Sequence, residues 1–164
     1  MNAGEYAKGQ LEMAFGLVNA CAGGMDDAQY NHAPGGTANT AAKSHVHAMT
    51  STDFFLNNIA QGKQLLWPEF AATNNLPANP MEIWAFAGEV PLTAMNEYAR
   101  QVQNSALDYV GSLGEADFDR EIETQFFGRK SVAFLIQLAG MHAVGHAGDM
   151  AAVKGIQGLK GLPF

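Results

Sequence analysis

Apolar residues recur at helical spacing in four long segments of the chain. The first runs from Glu5 to Ala22, with Leu11, Ala14, Val18 and Cys21 on one stripe, and stops at Gly23-Gly24, a helix-ending pair. The second starts at Asn39 or Thr40, either of which can cap a helix, and reaches Gln61 along Ala42, Val46, Met49, Leu56 and Ala60. The third opens with Pro91 and follows Leu92, Met95, Ala99, Val102, Ala106, Tyr109 and Leu113. The fourth, from Ser131 to Lys154, reads Val132, Leu135, Ala139, His142, His146, Asp149, Val153 and, just beyond, Ile156. Spacings that alternate between three and four residues mark the buried side of bundle helices. The expected fold is all-α: an antiparallel four-helix bundle, helices near 5–22, 39–61, 91–113 and 131–154, in one domain spanning 1–164. No convincing strand-type alternation interrupts the pattern.

The segments between are informative in a different way. "MDDAQYNHAPGGTAN" carries Pro34-Gly35-Gly36, which excludes regular structure there. The long helix 2–helix 3 connection, "GKQLLWPEFAATNNLPANP", holds three of the six prolines, and a connection of that length in a compact domain is expected to cover something. The acidic run "EADFDREIE" (115–123) has no calcium-loop spacing and is expected to face solvent. In the tail "GIQGLKGLPF", glycines end helix 4, and Ile156, Leu159, Leu162 and Phe164 are expected to anchor it on the bundle or on a second subunit.

Composition narrows the function. Nine Lys and Arg against sixteen Asp and Glu give a net charge of −7, which excludes the clustered cations that duplex nucleic acid requires. No run approaches the ~18 apolar residues that cross a membrane. The start, "MNAGEYAKGQ", lacks the apolar core of a signal peptide, so a cytoplasmic location is expected. Cys21 is the single cysteine, so no internal disulfide can form, and it is expected as a small buried hydrophobe.

Against that background "MHAVGHAGDM" (141–150) stands out. It sets two imidazoles and a carboxylate on the apolar stripe of helix 4, where an unpaired polar group costs roughly several kcal/mol. Residues four apart share a helix face, so His142 and His146 can reach one ion. Asp149 can be a third ligand, can orient a ligand imidazole, or can act as a base. The competing reading is a pair of core histidines hydrogen-bonded across the bundle. A further ligand has to come from a facing helix, and "SHVHAMTSTDFF" offers His45 or His47, about 200° apart around the helix. The apolar stripe passes nearer His45, which leaves the choice open at this point. Gly140, Gly145 and Gly148 provide either close helix packing or room for a ligand, while His32 is expected on a surface loop.

Three long stretches carry a resemblance. "GGMDDAQYNHAPGGTANTAAKSHVHAMTSTDFF", "PLTAMNEYARQVQNSALDYVGSLGEADFD" and "MHAVGHAGDMAAVKGIQGLKGLPF" together resemble the DinB-like (DinB/YfiT) superfamily of four-helix-bundle proteins, over Met13 to Phe164. The resemblance implies one divalent metal, zinc or nickel, on three histidines. The family's helix 2 ligand follows an Asn-Ser or Asn-Thr helix start by eight residues; counted from Asn39, that is His47. The position after the second helix 4 histidine departs from the family, which has Gln or Glu where Ala147-Gly148 leads to the shorter Asp149. Some members are transferases or isomerases that use mycothiol or bacillithiol. The expected function is therefore a metal-dependent enzyme with His47, His142 and His146 on the metal. A low-molecular-weight thiol would be cosubstrate, a small molecule the substrate, and a homodimer the assembly. Two alternatives stand beside it: a metal-assisted hydrolase with Asp149 as base, and a non-catalytic stress-response bundle with a structural metal. In the latter, Trp67, Trp84 and Phe86 would form a contact surface.

Overall fold

A computed structural model describes residues 2–164. The chain is mostly helical. Helix α1 spans Ala3–Ala22, the short α2 Asp27–Tyr30, α3 Ala41–Thr52, α4 Trp67–Thr73, α5 Leu92–Ser112 and α6 Val132–Ile156. Helix α3 runs on as a π-helix through Asp53–Ala60, and 3₁₀ turns occupy Pro80–Ala85 and Glu115–Asp119. Of the long helices, α1 packs on α5 and α6, and α3 packs on the same two.

One element departs from the expected all-α pattern. Strands β1 (Glu121–Thr124) and β2 (Gly128–Ser131) form an antiparallel hairpin, with Glu121 opposite Ser131 and Thr124 opposite Gly128. Four-residue strands are too short for alternation to show, and the acidic side chains of this region face solvent as expected. Ser131 caps α6 by accepting from the Phe134 N–H, so the hairpin feeds directly into the last helix.

The stripes of α1, α3 and α5 supply the core: Leu11, Val18, Cys21, Val46, Met49, Leu56, Met95, Val102 and Ala106 are all essentially inaccessible. Along α6 the buried side follows Val132, Leu135, Ala139, Ala143, Ala147 and Met150. His142 and His146 are only half-buried, and Asp149 is exposed. A strict seven-residue pattern drifts by ~20° per heptad around a straight helix, which moves the polar triplet from the centre of the core to its rim. The tail meets the bundle in part. Leu159 packs on the core, but Ile156 and Phe164 are exposed, at 67% and 87%.

Two buried charges brace the framework, and neither was visible as a pattern. Lys154 donates through Nζ to the carbonyls of Ala20 and Gly23, placing a cation on the C-terminal end of α1. Asp53, fully buried, accepts from Asn57 Nδ2 (2.9 Å), the N–H groups of Leu66 (2.8 Å) and Trp67 (3.3 Å), and the Tyr98 hydroxyl (3.2 Å). This carboxylate ties the start of the π-helix to α4 and α5, so the 62–90 connection is pinned from inside. Trp67 of that connection is buried against Phe70 and Tyr98. Asp53→Ala strands those donors, and a loss of about 3 kcal/mol or more in urea unfolding is expected. A loss under about 1 kcal/mol would show that the network does not brace the fold.

Candidate metal centre

His142 and His146 stand one turn apart on α6 with ring centroids 4.6 Å apart. His47 reaches across from α3, its centroid 4.8 Å from that of His142 and 4.9 Å from that of His146. One ring nitrogen from each lies within 4.8 Å of the other two, and all three side chains are half-buried. The structure thus brings His47, and not His45, to the α6 pair. His45 is fully buried, and its Nδ1 pairs with the Tyr30 hydroxyl at 2.9 Å. His32 is exposed, outside the cluster.

The residues fit a divalent metal on two observations. His142 Nε2 is buried with no hydrogen-bond partner, as is His45 Nε2 outside the cluster, an arrangement that costs about 1–3 kcal/mol unless the nitrogen is used. His146 Nδ1 pairs with Asp149 Oδ2 at 2.8 Å, which leaves the opposite ring nitrogen for the cluster. Asp149 itself is 60% exposed and does not belong to the three-residue cluster. Protonation is also suited to ligation. Burial, and then the neighbouring His142 and His146, push His47 down to about 4. Burial and His146 lower His142 as well. Three imidazoles can hold one borderline divalent ion and leave a position open.

Aromatic rings flank the cluster, and these were missed as site residues. Trp84, from the 3₁₀ turn of the long connection, lies 4.8 Å from His47 and 6.4 Å from His146 between centroids. Its carbonyl accepts from Lys43 Nζ at 3.0 Å, which ties the turn to α3. Phe55, from the π-helix, meets His142 edge-on at 6.4 Å. The one usable signal was that a long connection in a compact domain covers something. A concavity of about 790 Å³ lies elsewhere, on the α1–α6 face around Tyr6, Leu11, Ile136, Met141 and Val144. No histidine or carboxylate lines it. Of the α6 glycines, a Cβ at Gly140 would meet Leu11 at 3.5 Å, while Gly145 and Gly148 face open space.

A helical chain with three histidines gathered from two of its helices defines the class of protein. Residues 10–150 match the DinB superfamily, and the chain belongs to it. It is similar to the uncharacterized protein YjoA of Bacillus subtilis (strain 168), at 27% identity over 150 residues, covering 90% of this chain and 86% of that one. Two crystal structures share the fold. A conserved protein from Enterococcus faecalis superposes with a TM-score of 0.77 at 15% identity, over 95% of this chain and 97% of that one. The DinB-like YjoA from Bacillus subtilis gives a TM-score of 0.68 at 23% identity, over 97% and 96%.

The lowered imidazoles make a pH prediction for the metal-free protein. His47 and His45 stay neutral in the folded chain down to about 4, whereas unfolded histidine takes its proton near 6.5. As the pH falls below 6.5 the unfolded state binds protons first, so stability is fully present above that value and is lost toward 4. The thermal midpoint is expected to fall through this window, and to fall less in His47→Gln. Equal pH profiles for the two proteins would contradict the neutral packing of His47.

Proposed function

We propose that this protein is a metal-dependent enzyme on a four-helix bundle, with a zinc or nickel ion held by His47, His142 and His146. The proposed reaction transfers a low-molecular-weight thiol to a small-molecule electrophile, or isomerises a substrate with that thiol as cosubstrate. The observation that carries the reading is a half-buried cluster of three histidines, one with an orphaned Nε2, flanked by aromatic rings.

A divalent ion held there would supply a Lewis acid able to lower the pKa of a ligand thiol toward neutral pH. The chain does the rest by position. His142 and His146 present nitrogens one helical turn apart, and His47 closes the third side from α3. Asp149 fixes the tautomer and tilt of His146 through Nδ1, the role this contact supports over that of a general base. The nucleophilic sulfur comes from outside, because Cys21 is fully buried on α1 and burial pushes its thiol up. A cytoplasmic, thiol-containing compartment and a homodimer complete the proposal. The apolar α1–α6 face, with Tyr6, Met141 and Val144 exposed, supports the dimer. Among the described residues no helix is long and apolar enough to cross a membrane. Metal-assisted hydrolysis is the competing reading, favoured only by the exposed carboxylate of Asp149.

Metal analysis of the protein purified without a histidine tag tests this first. One equivalent of a divalent transition metal is expected. His47→Ala and His142→Ala lose stoichiometric binding, Asp149→Ala weakens it by about 10–100-fold, and His45→Ala leaves it intact. Metal retained by His142→Ala at the parent level would overturn the centre and leave hydrogen-bonded histidines as the account of the cluster.

A further inference from the structure

Ring contacts do not stop at the histidines. Phe55, edge-on to His142, lies 6.2 Å from Phe127 and 5.6 Å from Phe54, and Phe54 lies 6.0 Å from Phe126. All these separations are within the 4.5–7 Å range of favourable aromatic pairs. Phe126 and Phe127 form the tip of the β1–β2 hairpin, and they are 67% and 40% exposed. The tip is a built turn. Thr124 Oγ1 accepts from the Phe127 N–H at 3.0 Å and donates to the Gly128 carbonyl at 2.7 Å. Gly128 takes the positive φ of 63° that closes a short hairpin loop. Phe127 rests further on Phe134 of α6 at 5.8 Å. The hairpin therefore holds two water-exposed phenylalanines against the π-helix, in a continuous line of rings that begins at a metal-ligating position. Exposed phenyl surface is unfavourable in water, and core packing does not account for it here.

We propose that Phe55, Phe126 and Phe127 form the substrate-selecting wall of the site. The substrate would carry an aromatic or flat apolar group beside the head that meets the metal, and that group stacks along this wall. The inference rests on the metal-centre reading above and adds the chemical class of the substrate. The two phenylalanines of the tip are specificity determinants and take no part in ligation.

The test uses cobalt-substituted protein and two probes with the same metal-binding head: acetohydroxamate, and hydrocinnamohydroxamate, which adds a benzyl group. Affinities are read from the visible cobalt bands in the parent and in Phe126→Ala/Phe127→Ala. In the parent the benzyl group is expected to improve binding by about ten-fold or more. In the double variant most of that gain disappears, while cobalt uptake and acetohydroxamate affinity stay at the parent level, which also shows that the variant folds. If both proteins bind cobalt and acetohydroxamate but give the same ratio between probes, the aromatic wall is wrong and the metal centre stands. If the parent takes up no cobalt, the metal reading fails and this inference falls with it.

Discussion

Everything at the site depends on how closely α3 approaches α6. Both helices are built from small residues at buried positions: Ala41, Ala42 and Ala48 on one, Ala139, Ala143 and Ala147 on the other, all inaccessible. Helix separation is set by side-chain size at the contact, and the α3–α6 packing lets imidazoles from two helices meet over one gap. Larger residues would hold His47 away from the α6 pair and leave three separate half-buried histidines. Burial, and then the neighbouring imidazoles, disfavour the protonated forms of His47 and His142, which keeps these two in the form a metal needs.

The framework around this gap is stabilised by groups that do not depend on it. Asp53 gathers four donors where α3 passes into the π-helix, and Lys154 closes the end of α1. The cores of α1 and α5 contain no histidine. Removing a ligand side chain should therefore empty the centre without unfolding the protein, the separation between scaffold and site that lets one fold carry different chemistries. The fold itself tolerates wide change in sequence, since solved structures at 15% and 23% identity share it.

Much of this was legible in the residues, and the failures have physical causes. Long stripes of three-four spacing marked α1, α3, α5 and α6, because burying one side of a helix imposes that period. Helical geometry alone leaned toward His45, and His45 is indeed the more buried of the two, sealed against Tyr30. A stripe ranks residues by burial, whereas the histidine cluster sits at the half-buried rim. For the same reason Asp149 was read as a core residue, although it lies outside the core and reaches back to His146. The hairpin is four residues per strand and gave no period to read. The π-helix and the Asp53 network depend on contacts between distant segments, which no local pattern encodes. Nothing local to Trp84 or Phe55 points to the histidines; the fold alone sets these rings beside them.

Three of the five histidines are placed to act together on one ion, His142 and His146 through the nitrogens left free by the fold. Nitrogen-15 NMR of histidine-labelled, metal-free protein titrated with zinc tests it most directly. The account predicts that one equivalent of zinc shifts the ring nitrogens of His47, His142 and His146 in concert, with His142 and His146 bound through Nε2. His45 and His32 stay where they were. Zinc shifts centred on His45, or a His146 bound through the Nδ1 that pairs with Asp149, would contradict the account.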